Sequence, residues 1–437
     1  MTTRARTIAA LTVAAILAGT GVQDVRAGTI EEELRILIDA HPKIRQSEKT
    51  LESRRASISE AQALYFPRVN VSGQYGPERV NNLSTRNGDG MWKGVRRTVG
   101  LNIAQSLFDG FQTTSQVQSA RINREIASIS LEGTRQLTLF EGVQAYVDVL
   151  RQRRLVEMAR ENERTIQRQL NLEDERVRRG SGVTVDVLQA KSRLQIAKER
   201  RVGYEGALAN AVSRYQQVFE HAPNLITMID PAPPAMVIPP TVDRAIDIAL
   251  MESPALLSEA ATVEFTREKR RLAASTLYPT LDVVGAANYE REKNGTDAMR
   301  KDYSVLLTAN WELFSGGSTL ARQEASGFDY HASMDAYEHT TTRVIEQVKV
   351  AWQNLVTSRE RKELLGNAVN IASEVFDSRK KLRDAGKETV INVLDAENEV
   401  NNAQINYTTA SYDERLAVYQ LLLAMGRLNP EYIVSQR

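Results

Sequence analysis

The sequence repeats itself at a nearly fixed offset, and no other feature constrains its fold as tightly. Pro42, Ala61, Pro67, Val71 and Gly73 recur as Pro254, Ala273, Pro279, Val283 and Gly285, all 212 positions later. From Val99 the offset is 206: Phe108 pairs with Phe314, Gly110 with Gly316, Ala145 with Ala351, Gly180 with Gly386 and Leu188 with Leu394. The register still holds at Val212 and Val418. Two copies of one supersecondary unit are implied, over 28–223 and 242–428. The offset changes between Gly73 and Val99, so the first copy has a longer segment there, which an exposed loop tolerates. Both loops hold Asn-Gly (Asn87-Gly88 and Asn294-Gly295), a two-residue hairpin signal. Residues 224–241 join the copies. Their "DPAPPAMVIPP" holds five of the chain's twelve prolines and reads as an extended linker. Residues 429–437 form a short tail.

Proline-free intervals set the helices. None occurs between Pro77 and Pro223, or between Pro279 and Pro430, so each interval can hold a very long helix. Leu139, Val143, Tyr146 and Leu150 recur at steps of four, three and four, and Ile345, Val348, Trp352 and Leu355 at three, four and three. Leu208, Val212, Tyr215 and Phe219, then Tyr412, Leu416, Tyr419 and Leu423, continue the pattern. These are seams for coiled-coil-like packing. A helix over 112–177 is ~100 Å long. Flanking helices over 30–64 and 185–219 are each roughly half that length, so two stacked end to end match one long one.

Between the helices, each copy has two alternating segments. Val69, Val71 and Tyr75 oppose Arg68, Asn70, Ser72 and Gln74, and Val99, Leu101 and Ile103 oppose Thr98, Gly100 and Asn102. The second copy keeps the parity: Leu281 and Val283, then Val305, Leu307, Ala309 and Trp311, face one way. Segments of about ten alternating residues suit the strands of an outer-membrane barrel. They also suit a half-buried soluble sheet. Four strands cannot close a barrel, whereas three copies of the chain supply twelve.

Other classes are excluded by what is missing. Lys+Arg and Asp+Glu nearly balance at 56 and 55, so no overall field points to nucleic acid. Cysteine is absent, which removes disulfides, thiolate zinc sites and thiol catalysis. His41, His221, His331 and His339 are dispersed without a ligand pattern and read as surface helix residues. The basic clusters Arg151–Arg154 and Arg176–Arg179 lie among many acids and read as solvated helix faces. No nucleotide loop or hydrolase motif is present, so no enzyme, cofactor or metal is expected. Residues 1–27 combine a basic start, the apolar "TIAALTVAAILAG" and "VRA" before Gly28, as in a secretory signal. No later run is apolar enough to span a membrane as a helix, so membrane entry would have to use strands.

Taken in order, the signal, the duplication, "LYFPRVNVSGQY" and "TLYPTLDVVGAANY", "SLFDG" and "ELFSG", and the turns "GSGVTVDVLQA" and "GKETVINVLDA" resemble the TolC family of outer-membrane efflux and secretion proteins. The resemblance spans essentially the whole mature chain. It implies a mainly α protein with a small transmembrane β part: a homotrimer whose strands form one twelve-strand barrel in the outer membrane of a Gram-negative bacterium. A long periplasmic helical tunnel continues that barrel. It further implies a periplasmic adaptor and an energised inner-membrane transporter, ABC-type or proton-driven, docked at the far tip, and outer-membrane lipid around the barrel. Gly180 and Gly386 match the tip-turn glycines. Val185, Val187 and Leu188, like Ile391, Val393 and Leu394, match the apolar start of the returning helix. Of two pore-narrowing aspartates in studied members, the first position is Asn392 here and the second is Asp395. The latch arginine is matched by Glu388, and its partner Asp186 is kept. Asp186 also suits a helix N-terminus on macrodipole grounds alone. Val69, Val71, Val99, Leu101, Leu281, Val283, Val305, Leu307 and Trp311 are the expected membrane-facing set. Export of protein by a type I system leads, with small-molecule efflux next. A soluble periplasmic coiled-coil scaffold or adaptor is the reading from another class, though an adaptor is expected to show one helical hairpin inside β-rich domains.

Overall fold

The computed structural model describes residues 29–81, 91–234 and 237–429. The first copy comprises α1 (Ile30–Ala40), α2 (Pro42–Gln62), β1 (Arg68–Val80), β2 (Trp92–Phe108), α3 (Gln112–Arg178) and α4 (Thr184–Phe219). The second repeats that order: α5 (Val242–Glu252), α6 (Pro254–Ser275), β3 (Thr280–Lys293), β4 (Thr296–Asn310), α7 (Ser318–Asp384) and α8 (Val390–Ala424). The expected signal, Asn87-Gly88 and residues beyond 429 lie outside the described residues.

The long helices match expectation, as does α4 over the expected 185–219; the flanking helix before the strands corrects it. Both α3 and α7 have 67 residues, or ~100 Å. The single helix expected over 30–64 is instead broken at His41, whose backbone is extended (φ −65°, ψ 128°). Pro42 is the cause: it lacks an N–H and forces its predecessor out of the helical region. The break then becomes a start, because His41 Nδ1 accepts the Lys43 N–H at 3.2 Å. Ser253 (φ −63°, ψ 118°) and Pro254 repeat the break between α5 and α6, without a side-chain cap. His41 is therefore a buried cap and not a surface helix residue.

Entry to α3 needs a left-handed step. Gly110 has φ +65°, and a Cβ there would lie 2.5 Å from the Ser275 carbonyl oxygen, so the position is closed to other residues on two grounds. Asp109 then accepts the Thr113 N–H at 2.7 Å.

All four strands form one antiparallel sheet in the order β1-β2-β3-β4. Asn294 (φ 56°) and Gly295 (φ 82°) form the second hairpin turn, with Lys293 opposite Thr296, as a two-residue Asn-Gly loop requires.

The main core lies midway along the long helices. Leu139, Val143, Tyr146 and Leu150 of α3 are sealed there against α1, the end of α4, α5, Val348 and Leu355 of α7, and the end of α8. Each such side chain contributes about 1.5–3 kcal/mol. The described residues between the copies form no α-helix or strand and turn at 225–227, and they are packed: Met228 is buried in the core, and the Tyr146 hydroxyl donates to the Ile229 carbonyl at 3.0 Å and accepts its N–H at 3.1 Å. Helix α6 touches both α3 and α7, so the two copies share one body.

Candidate functional site

Two regions lie at opposite ends of the long helices: the turns that end α3 and α7, and the sheet. At the first turn Arg179 caps α3 and Gly180 follows at φ +75°. Its N–H meets the Val177 carbonyl at 3.0 Å, and the Ser181 N–H meets that of Arg176 at 3.0 Å. Gly386 (φ +69°) repeats this pattern: its N–H meets the Arg383 carbonyl, and the Lys387 N–H that of Leu382, both at 2.9 Å. Both are Schellman endings, which need a left-handed residue. Nothing crowds either glycine, so backbone geometry alone selects the residue.

Beyond the turns, each returning helix packs on its partner. Val187, Ala190, Leu194 and Ala197 of α4 close on Ile166 and Leu170 of α3, at coiled-coil spacing. On α8 the buried line is Val393, Ala396, Ala403 and Ala410, whose small side chains permit a close approach. The helix starts differ chemically. Thr389 caps α8 by accepting the Asn392 N–H at 3.4 Å, and Glu388 accepts the Thr389 N–H at 3.0 Å and the Asn392 side-chain amide. Those hydrogen bonds, Asn392 foremost, hold the Glu388 carboxyl below its ordinary range. Val183, at the same place before α4, offers no side-chain cap, and Asp186 sits in the first turn instead.

Equivalent positions of the two copies also differ in exposure. Leu394 is 5% exposed and Leu188 is 60% exposed; Leu394 lines a cleft of about 260 Å³ together with Ile166, Ile196 and Ala197 of the first copy. Val183 and Val185 are exposed beside Leu188. Polar contacts join the copies along this seam. Arg193 of α4 pairs with Asp395 of α8 at 2.5 Å, and Arg200 donates to Asn402 at 3.0 Å. Arg383 of α7 reaches the buried Glu173 of α3 at 3.0 Å, and Gln169 of α3 donates to Glu397 of α8. Glu397 is largely buried, and desolvation pushes its carboxyl above the ordinary 4.5. Asp395 therefore stands at the tip as expected, but with a cationic partner within its own chain. Arg193, Glu173, Arg383 and Glu397 were missed in the sequence, because these helices are dense in charge and period alone does not say which pairs meet.

At the other end, register assigns the two faces of the sheet. Directly paired residues share a face, giving the rows Val69–Ile103–Gly285–Val305 and Val71–Leu101–Ala287–Tyr303. Val99 and Val283 belong to the same face, as do Leu281 and Leu307. Val71 and Val305 are more than 70% exposed, an unusual state for an apolar strand face in a chain considered alone. The opposite face carries Arg68, Asn70, Ser72, Gln74, Thr98, Asn102, Asp282, Asn288 and Thr308, with an apolar patch at Ala104, Val284, Ala286 and Leu306 and the pair Val80–Trp92 near the hairpin. Trp311 lies one residue past β4 and donates its indole N–H to the Leu277 carbonyl at 3.1 Å. Exposed Tyr65, Phe66, Tyr278 and Phe314 likewise lie at the helix-side end of the strands. From Phe66 to Tyr75 the chain runs nine residues, ~30 Å along a strand. A barrel tilt of ~40° reduces that to roughly 23 Å, close to the ~25 Å apolar band of outer-membrane barrels.

The remaining sequence candidates are structural. His221 Nε2 pairs with the buried Glu33 at 3.0 Å, while His331 and His339 lie on the surface of α7. Arg176, Arg178 and Arg179 pair with Glu173, Asp174 and Glu175 on their own helix, and Arg151 pairs with Asp148 and Asp413. Among the described residues no cluster could hold a metal ion, and no helix is long and apolar enough to cross a membrane.

Comparisons with known proteins fit this architecture. The outer membrane efflux protein BepC of Brucella suis is 26% identical over 381 residues, 87% of this chain and 81% of that protein. The outer membrane protein TolC of Vibrio cholerae is 22% identical over 385 residues, 87% and 86% of the two chains. The alkaline protease secretion protein AprF of Pseudomonas aeruginosa is 22% identical over 335 residues, 75% and 69%. Among solved structures, a membrane protein from Pseudomonas aeruginosa superposes with a TM-score of 0.80 at 18% identity, covering 91% of this chain and 93% of that one. A family profile described as "Outer membrane efflux protein" matches residues 34–218 and 245–427, both copies in turn. The chain belongs to the outer membrane efflux protein family.

Proposed function

We propose that three copies of this chain close into one duct that conducts protein substrates of a type I secretion system out of the periplasm. As a family member the chain is an outer-membrane channel and not an enzyme, and such channels work with a periplasmic adaptor and an inner-membrane transporter. The observation that carries the trimer is the sheet: four strands whose outer members, β1 and β4, adjoin no further described strand, and an apolar face left bare. Twelve strands abolish both edges. The tip supports the same arrangement. Within one chain, α8 lays Leu394 against the first copy, and in a ring the equivalent α4 lays Leu188 against the second copy of its neighbour.

The duct is passive, and its gate is the end of the helices around Gly180, Val185, Asp186, Leu188, Gly386, Asn392, Leu394 and Asp395. Opening separates the two coiled coils, so Arg193–Asp395 and Arg383–Glu173 must break or exchange partners. Asp395→Ala is expected to raise single-channel conductance or shift cation preference in a planar bilayer; an unchanged channel removes Asp395 from the gate. Protein as the cargo is supported by the likeness to AprF, a secretion protein by name. Small-molecule efflux is the second reading, favoured by the higher identity to BepC. Crosslinking through the tip turns in cells decides between them: capture of an adaptor with an ABC transporter supports secretion, and capture with a proton-driven pump supports efflux.

A further inference from the structure

The apolar sheet face does not end in water-facing neutral residues; it ends in bases. Arg97 lies in the row Tyr75–Arg97–Arg291–Met299, and the next row toward the helices is Gly73–Val99–Tyr289–Lys301. Farther out, Arg79 pairs with Lys93. Tyr75, Tyr289 and Tyr303 thus step by one row from β1 to β3 to β4, and a base lies beyond the tyrosine level on every strand. Such a diagonal becomes level once the strands tilt as a closed barrel requires. The order along the face is therefore apolar, then tyrosine, then cation. The Arg97 guanidinium stands 5.9 Å from the Tyr75 ring centroid, so the two belts touch.

Sidedness separates this rim from ordinary surface charge. Arg79, Lys93, Arg97 and Lys301 are exposed, and among the described residues in register their face carries no carboxylate. Glu292, bulged out of register at φ 54°, lies 3.7 Å from Arg291; its second oxygen accepts the Val95 N–H at 2.9 Å. On the opposite face the bases at the hairpin end are matched by acids, Arg96 with Glu78 at 3.5 Å and Arg300 with Asp302 at 2.8 Å; exposed Arg68 lies at the other, helix-side end. Among the described residues at the hairpin end, the apolar face alone carries cations without an acidic partner.

We propose that this rim binds the phosphate groups of anionic phosphorylated glycolipid in the outer leaflet, with Arg79, Lys93, Arg97 and Lys301 as its ligands and the tyrosines against the sugar and acyl boundary. The inference rests on the membrane-facing reading of this sheet face. Guanidinium and ammonium groups pair with phosphate, and tyrosines are favoured at an apolar–polar boundary. Charge complementarity selects an anionic leaflet over a zwitterionic one.

The test uses the full-length protein in phosphatidylcholine vesicles doped with lipid A, or with the same lipid after enzymatic removal of its phosphates. Lipid retained per protein is read by native mass spectrometry after mild extraction. The wild type is expected to retain the phosphorylated form more than about tenfold over the dephosphorylated form. Removing the charges (R79Q, K93Q, R97Q and K301Q together) is expected to abolish that preference. R97K, which keeps the charge, and the opposite-face set R68Q, R96Q and R300Q are expected to keep it. A membrane-inserted wild type without preference, or a charge-removed variant that retains it, overturns the inference alone. Displacement of the lipid by an equal concentration of inorganic phosphate assigns the rim to a free anion and also overturns it. Loss of the wild type from vesicles on carbonate extraction overturns the membrane-facing reading as well.

Discussion

Tyr146 shows what single residues do in this fold. It is fully buried, and its hydroxyl satisfies both the N–H and the carbonyl of Ile229. Burial raises its phenol to about 12, so it stays neutral and able to donate. Tyr146→Phe keeps the packing and orphans two backbone groups of the linker. A loss of about 1–3 kcal/mol is expected, read as an earlier chemical-denaturation midpoint; an unchanged midpoint contradicts the linker's anchoring role. The three-four spacing in the sequence identified Tyr146 as core but not its partner, since period reports a face and not what covers it. Pro42 was equally visible as a repeat marker, while its effect, a broken helix capped by His41, depends on the backbone around it. Gly180 and Gly386 were legible in full, because a left-handed helix ending has few residue choices.

At the scale of elements, the long helices were read from the absence of proline and the apolar seams, and the strands from alternation and Asn-Gly. Contacts between the helix pairs were not legible. Glu397 illustrates the consequence. Its carboxyl is raised by burial against α3, so its contribution to stability is full below the ordinary carboxylate range and is lost as pH rises through the raised value. The α3–α8 seam is therefore expected to hold more firmly in acid. Glu397→Gln is expected to increase amide-exchange protection of this seam at about pH 7.5 and to change little at about pH 4.5. Equal effects at both pH values would show that the charge of Glu397 does not load the seam. Arg193 and Asp395 make the complementary case. Both are partly exposed, and such pairs are worth about 0–1 kcal/mol in stability, so their effect belongs in gating and not in the melting temperature.

For the whole molecule, the duplication set the architecture: one chain supplies two of six pseudo-equivalent units, and the inequalities between its copies mark where a neighbour must sit. Leu188 and Leu394 carry that argument at the tip, and the bare edges of β1 and β4 carry it at the sheet. The need for twelve strands was legible from sequence, since four cannot close a barrel; the inequality of Leu188 and Leu394 was not, because repeat matching shows likeness and a difference in burial emerges only when the copies pack. The central claim is that β4 of one chain pairs with β1 of the next. Since the chain has no cysteine, cysteine pairs introduced along β1 and β4, one residue on each, can be oxidised in intact cells without background. Directly opposite strand residues have Cβ atoms about 4.5–5.5 Å apart, so one register of pairs should crosslink. The account predicts a ladder that ends at three chains on denaturing gels. A ladder that ends at two chains, or no β1–β4 crosslink in any register, would contradict it.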